Sequence, residues 1–336
     1  MKAIGYHHSL PASNPAALED IELPEPLARP RDIVVRVKAV SVNPVDTKVR
    51  QHRAPAAGKP EVLGWDAVGV VESVGAAVRR FKAGDRVWYA GAIDRPGANS
   101  ELHAVDERIA ALAPASLDDA QAAALPLTSI TAYEMLFDRL RVPMGGGADQ
   151  TLLVIGGAGG VGSILIQLAR QLTRLRIVAT ASRPETQAWC LELGAHAVID
   201  HRRPMAAQLE AGGFGKVEFV AALTHTQQHY ADIVDCLAPQ GHLVLIDDLE
   251  GLDVMKLKAK SISLHWEMMF TRSMFQTHDM AEQGRLLAEV AALVDEGRVR
   301  STVRQNFGRI NARNLREAHA LIESGTAQGK VVLAGF

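Results

Sequence analysis

The chain has 336 residues, 48% of them hydrophobic, which is enough for about two globular domains. A formal net charge of −2 excludes the basic footprint that nucleic-acid binding requires, and no apolar run is long enough to span a bilayer. The two cysteines, Cys190 and Cys236, stand far from any CxxC spacing and fit a reducing compartment better than a secreted one. With no apolar core of signal-peptide length in MKAIGYHHSLPASNP, a cytoplasmic protein is expected.

Residues 1–125 read as β-rich. Ile33–Val37, Ala67–Val71 and Arg86–Tyr89 are short strand-like runs punctuated by Gly and Pro. From Leu125 the character changes, and a helical stretch, Ile130–Leu140, precedes Pro143 and the glycine loop Met144–Gly147. Strand-like pieces then follow at Leu152–Ile155, Arg176–Ala181, His196–Ile199, Val217–Ala222 and His242–Ile246. Helical pieces lie between them, at Gly162–Leu172, Pro184–Leu193, Pro204–Ala211 and Thr226–Leu237. This alternation predicts a parallel sheet with helices on both faces. Ser261–His265 is a candidate sixth strand, a helix over about Met280–Glu296 follows, and Gly329–Leu333 is strand-like again. The basic clusters Arg202-Arg203 and Arg298, Arg300, Arg304 read as solvated faces. His225 and His229, four apart on one helix without a third ligand nearby, read as surface histidines.

The stretch Leu152–Gly162, LLVIGGAGGVG, carries the sharpest chemical signal. A strand leads into Gly157-Ala158-Gly159-Gly160-Val161-Gly162, and Ile164, Leu165, Leu168, Ala169 and Leu172 continue at helical spacing. A dinucleotide site needs this order. Gly157 is expected to make the tight turn, Gly159 to let the backbone approach a pyrophosphate, and Gly162 to allow close helix–strand packing. The helix N-terminus then offers unpaired N–H groups to phosphate. At the end of the second strand, Ala179-Thr180-Ala181-Ser182-Arg183 holds no carboxylate for a free ribose 2′-hydroxyl. Ser182 and Arg183 instead offer donors and a charge suited to a 2′-phosphate, so NADP(H) is predicted over NAD(H), the alternative being that Arg183 sits in solvent.

Several motifs together resemble the medium-chain dehydrogenase/reductase superfamily along nearly the whole chain. They are Ser41–Lys48 (SVNPVDTK), Leu63–Gly69 (LGWDAVG), Phe81–Val87 (FKAGDRV), Ala124–Ala132 (ALPLTSITA) and the glycine loop. The chain looks most like the zinc-free quinone oxidoreductase branch, within it a bacterial group labelled zinc-type alcohol dehydrogenase-like. The resemblance implies an α/β fold, with a GroES-like β-rich catalytic domain over 1–126 completed by 274–336. A Rossmann doubly wound parallel-sheet domain over 127–273 would bind NADP(H), with the active site in the cleft. It also implies a homodimer formed through the sheet edge near Ser261–His265.

Zinc-dependent relatives hold their metal with Cys, a His in Gly-His-Glu, and a second Cys or an acid. The matching positions here are Asn43, Trp65 and Leu127, with Asp66 in place of the Glu, and neither Trp nor Leu can ligate zinc. No catalytic or structural zinc is expected. Without a Lewis acid, simple alcohol oxidation loses its device, whereas hydride transfer to an electron-poor quinone or α,β-unsaturated carbonyl needs only donors for the developing oxyanion. The expected protein is a zinc-independent NADPH-dependent reductase of such small molecules. The alternatives are a zinc-type alcohol or carbonyl dehydrogenase, or an NADPH-binding sensor or structural protein without turnover. Candidate catalytic residues are Asn43, Lys48 and Thr128, the last at a position where relatives approach the nicotinamide. Their bland alternatives are a turn cap for Asn43 and an exposed charge for Lys48. Asp46 reads as ordering its loop. Trp65 and Phe270 are candidate substrate walls or core fillers. His201 is placed to stack on the adenosine end, and Ile246, ending the fifth strand, completes the cofactor set.

Overall fold

The computed structural model describes residues Met1–Phe336, which divide into two compact units. Unit 1 comprises Met1–Ile130 and Phe270–Phe336, and unit 2 comprises Thr131–Met269. The sequence reading put these boundaries at 126/127 and 273/274.

Unit 1 opens with β1 (Lys2–Tyr6), β2 (Glu19–Glu22) and β3 (Asp32–Val42), followed by α1 (Pro44–His52). Next come β4 (Glu61–Val62), β5 (Ala67–Val74), β6 (Arg86–Tyr89), β7 (Leu102–Asp106), β8 (Ala110–Leu112) and α2 (Asp119–Ala123). Helix α3 (Pro126–Glu134) carries the chain over the Ile130/Thr131 boundary. It starts earlier than the predicted Ile130 because Pro126 suits a first helical turn, where its missing N–H has no intrahelical partner in any case. A π-helical turn, Met135–Arg139, extends it.

In unit 2, the strands are β9 (Thr151–Ile155), β10 (Arg176–Thr180), β11 (Ala197–Ile199), β12 (Val217–Ala222), β13 (Leu237–Leu245) and β14 (Ser263–Trp266). The helices between them are α4 (Gly160–Leu172), α5 (Pro184–Glu192), α6 (Met205–Ala211), α7 (Thr226–Cys236) and α8 (Met255–Lys258). All pairings in this sheet are parallel, in the order β11-β10-β9-β12-β13-β14. Counted from β9 this is 3-2-1-4-5-6, the doubly wound arrangement, in which ligands bind beyond the carboxyl ends of the strands where the order reverses. β9 is buried at every residue. Leu153, Val178, Val220 and Leu243 pack with Ile233 and Leu237 in one apolar cluster, each side chain contributing about 1.5–3 kcal/mol relative to exposure. β14 pairs with β13 alone and ends the sheet, and its last residue, Trp266, is 53% exposed.

The chain returns to unit 1 through α9 (Thr271–Met274), α10 (Glu282–Asp295), β15 (Val303–Asn306), α11 (Ala312–Glu323) and β16 (Lys330–Ala334). One small sheet of this unit runs β2-β1-β4, and the larger runs β15-β16-β3-β5-β6-β8, with β7 also on β3. β16 pairs antiparallel with the end of β3, Val331 opposite Val42. The larger sheet of unit 1 is thereby completed by residues far along the chain.

Candidate functional site

Unit 2 carries a dinucleotide cradle whose glycines have separable reasons. Gly156, just after β9, takes φ +83°, and its N–H donates to Thr180 Oγ1 at 3.0 Å. The sharp turn therefore belongs to Gly156, not to Gly157 as expected, because only Gly156 adopts the left-handed backbone that favours glycine. Gly157 is required for packing: a Cβ there would lie 2.7 Å from the Ala179 Cβ. At Gly162 a Cβ would lie 2.5 Å from Gly156 O, so the helix could not approach the turn. At Gly159, by contrast, a Cβ would meet only Gly156 O, at 3.5 Å. Gly159 is the N-cap of α4 and supplies no side-chain cap. The N–H groups of Gly160, Val161 and Gly162 thus begin a helix whose first turn is left for an outside acceptor. Ala158 is buried behind this turn. The residues fit a pyrophosphate.

Beyond β10 and β11 lie the groups facing the adenosine end of such a cofactor. Ser182 is half-buried and Arg183 is exposed, its Nε 3.1 Å from Glu185 Oε1. Arg202 is exposed, as expected of a solvated face, but its guanidinium is held by specific partners. Its Nε and Nη2 reach Asp200 at 3.0 and 2.7 Å, and Nη2 also donates to Ser182 O at 2.8 Å. This bond ties the ends of β10 and β11 together. Hydrogen bonding by Arg202 holds the Asp200 carboxyl down at about 2. Both carboxylates near this end, Asp200 and Glu185, are therefore already matched by guanidinium groups. His201 stands edge-on to His229, ring centroids 5.5 Å apart. His229 is buried, which corrects its reading as a surface residue, because helix α7 turns it toward His201. Burial keeps both imidazoles below their ordinary range. Ile246 is half-buried just after β13, next to Asp247, which accepts from Thr226 N at 2.8 Å and so caps α7.

In unit 1 the predicted residues gather around buried charge. Asn43 follows β3 and is the N-cap of α1, with Pro44 at the first helical position. Its backbone N–H donates to Asp46 Oδ2 at 2.7 Å, and Asp46 Oδ1 accepts from Gly64 N at 3.0 Å. The Asn43 amide points inward. It donates to Asp66 Oδ2 at 3.1 Å and to Ser41 O at 3.4 Å, and its oxygen accepts from Lys330 Nζ. Lys330 also donates to Val42 O at 3.2 Å and lies 3.2 Å from Asp66 Oδ2. The other Asp66 oxygen accepts from Leu127 N at 3.1 Å. All of these side chains are buried. Desolvation raises the carboxyls of both Asp46, to about 7, and Asp66, while Lys330 is pulled below its usual value by its own burial.

Thr128 follows Leu127 in the first turn of α3 and is buried, its hydroxyl donating to Leu125 O at 3.2 Å. Lys48 stands exposed on α1. Trp65 is only 1% exposed, donates from Nε1 to Ala92 O at 3.0 Å, and meets Phe270 edge-to-face at 6.2 Å. In the sequence Lys330 is not marked as a site residue, and Arg202 is marked only as a surface charge. A lone lysine opening the apolar run Val331–Leu333 was the available signal for the first.

Residues 29–113 match the alcohol dehydrogenase GroES-like domain family, and residues 193–333 the zinc-binding dehydrogenase family. A zinc-type alcohol dehydrogenase-like protein of Staphylococcus aureus (strain MSSA476) is 36% identical over 336 residues, covering 99% of each chain. Among solved structures, a putative zinc-dependent alcohol dehydrogenase protein from Rhizobium etli CFN 42 superposes with a TM-score of 0.97 at 56% identity, over 100% of this chain and 98% of that one. The Escherichia coli quinone oxidoreductase complexed with NADPH gives 0.83 at 27% identity, over 99% of this chain and 100% of that one. A GroES-like unit joined to a parallel-sheet dinucleotide unit defines a medium-chain dehydrogenase/reductase. The chain belongs to that superfamily, in its quinone oxidoreductase-like branch, and is an oxidoreductase.

Zinc, which several of these names mention, is not what the residues suit. Asn43, Trp65 and Leu127 supply no thiolate or imidazole, and the one amide oxygen among them already accepts from Lys330. No three His, Cys, Asp or Glu converge anywhere as a metal-binding set. No step below runs through a metal.

Proposed function

We propose that this protein is a zinc-independent, NADPH-dependent reductase of quinones or α,β-unsaturated carbonyls. The observation that carries the cofactor choice is the end of β10, where Ser182 and Arg183 stand and both nearby carboxylates are already paired, Asp200 with Arg202 and the exposed Glu185 with Arg183. A 2′-phosphate would find cationic donors there, whereas a bare 2′-hydroxyl would find no uncommitted acid. Gly157–Gly162 would hold the pyrophosphate, and His201 and Ile246 would flank the adenosine and nicotinamide ends. The bound dinucleotide supplies the hydride.

Unit 1 supplies the acceptor side. Lys48, and Thr128 once its hydroxyl turns from Leu125 O, would supply the N–H and O–H donors that steady a developing enolate or hydroquinone oxygen. Trp65 and Phe270, enclosed and packed edge-to-face, would give apolar backing and not an exposed wall for a flat, unsaturated acceptor. Asn43 acts through the buried charge cluster and not by touching substrate. Without a Lewis acid, acceptors already short of electrons are favoured over simple ketones. The same reading includes a homodimer through β14.

The test is the initial rate of NADPH oxidation, with NADH in parallel, on chelator-treated protein. Quinones and enones are compared with aldehydes and ketones. A charge-assisted grip on the phosphate contributes about 1.5–3 kcal/mol, so NADPH should be preferred by about 10- to 100-fold in kcat/KM. Arg183→Ala should remove most of that preference. Equal use of NADH, or faster turnover of simple ketones than of quinones and enones, would overturn the reading. Tight NADPH binding without turnover of any acceptor would favour a sensor.

A further inference from the structure

Lysine is among the side chains least often buried, and an enclosed ammonium is strongly destabilising unless every N–H finds an acceptor. Lys330 has all three: Asn43 Oδ1, Val42 O and Asp66 Oδ2. An ammonium has three donors and no acceptor, so this set saturates it. Its location is not incidental. β16 pairs with β3 so that Val331 faces Val42, which sets residue 330 beside Asn43. The groups it touches belong to the positions that carry metal ligands, or their immediate neighbour, in zinc-dependent relatives: Asn43 for the first cysteine and Asp66 for the residue after the histidine. Asp66 in turn holds the N–H of Leu127, the third such position. A single cation thus gathers segments from the end of β3, the start of β5 and the start of α3.

We propose that Lys330 is a positioning residue: its ammonium takes the organising place of a metal ion and, through Asp66 and the Leu127 N–H, fixes Thr128 at the reaction site. The part of this inference that concerns Thr128 rests on the reductase reading above. The organising role of the cation does not. An ion pair serving stability alone would tolerate replacement by any neutral pair that keeps the fold. A positioning pair would not, because the Asp66–Leu127 bond and the Lys330–Asn43 bond set the register of the three segments together.

The deciding experiment compares wild type with the double variant Lys330→Met/Asp66→Asn, which removes one charge of each sign. Thermal unfolding, NADPH affinity by fluorescence, and kcat and KM for the best acceptor are measured on both. Small misplacements of a reacting group cost about 10- to 100-fold. The double variant is therefore expected to keep its NADPH affinity, since that site lies in unit 2, and to lose kcat by about 10-fold or more, with a smaller change in KM. A folded double variant whose kcat stays within about twofold of wild type overturns the proposal.

A second measurement uses wild type alone and stands whether or not the variant folds. Protein dialysed against zinc and then desalted is assayed for bound metal and for activity. Less than about one zinc per ten chains, with activity unchanged, is expected. Stoichiometric zinc that is lost when Asp66 is changed to Asn would mean that the ammonium gives way to a metal, and would overturn the proposal. If wild type turns over no acceptor at all, the reductase reading fails by itself, and zinc retention decides the role of Lys330.

Discussion

Each unit holds a pair of buried carboxyl groups beside one basic residue, and the two arrangements differ in kind. In unit 1 the Asp66 and Asp46 oxygens accept from four N–H groups, those of Leu127, Asn43 (amide and backbone) and Gly64, and the cation, Lys330, is enclosed with them. In unit 2, Glu134 and Glu267 lie inside while their partner, Arg139 in the π-helical turn, remains 29% exposed. Arg139 Nε is 2.7 Å from Glu267 but Nη2 is 3.8 Å from Glu134. Burial and the neighbouring Glu134 drive the Glu267 carboxyl far above the ordinary range, with Arg139 opposing. One proton therefore stays on the pair near neutrality. In unit 1 backbone donors and Lys330 oppose the desolvation that raises the carboxyls, so Asp46 rises only to about 7; in unit 2, without backbone donors, Glu267 rises to about 9.

The contrast can be broken most severely at Lys330. Replacing it alone with Met leaves Asp66 buried and uncompensated, and should reduce unfolding stability by about 3–5 kcal/mol in denaturant titrations. Adding Asp66→Asn should recover a large part of that loss. Arg139→Met should be milder, about 1–3 kcal/mol at neutral pH, because the glutamate pair can bind a further proton. Its deficit should widen as pH rises.

The smallest effect near neutrality belongs to Glu267→Gln, within about 1 kcal/mol of wild type, since Gln keeps the shape of a protonated carboxyl. Its signature lies in pH. The folded Glu267 carboxyl holds a proton that the unfolded chain has already released. Wild-type stability should therefore fall as pH climbs from the ordinary glutamate range toward about 9. The slope is some fraction of the ~1.4 kcal/mol per pH unit that one proton carries. Denaturation midpoints at pH 6, 7.5 and 9 should show a flatter profile for Glu267→Gln. Parallel profiles would remove the shared proton from the comparison.

Much of unit 2 was legible in the sequence because each of its buried strands is a local apolar run. β12 matches its predicted span, and β9, β10 and β14 lie within two residues of theirs. β13 starts at Leu237 and not His242, because its first part is irregularly paired and contains Gln240 at φ +64°, which breaks the apolar pattern. The short strands of unit 1 were less visible. β2 (EDIE) and β15 (VRQN) are polar, half-exposed segments whose strand character comes from distant partners. The same limit governs the site. Asn43, Asp66 and the glycine loop sit inside motifs, whereas Lys330 reaches Asn43 across 287 residues. Arg202 looked like surface because an arginine's contacts with Asp200 and Ser182 O leave no trace in composition. Glu134 and Glu267 stand singly in apolar surroundings, and only the fold brings them together.

The closing strand has a consequence for how the molecule is made. Domains usually assemble as they leave the ribosome, the earliest-synthesised first. Here the middle unit is one continuous segment, Thr131–Met269, and can assemble as soon as it emerges. The β-rich unit begins earlier but cannot finish, because one side of β3 near Val42 stays unpaired until β16 arrives. During that interval the chain carries an open strand edge, a template for wrong pairing, and an Asp66 that lacks its cation. The portion synthesised first is the last to be sealed, and arrival of Lys330 satisfies the strand edge and the buried charge in a single step.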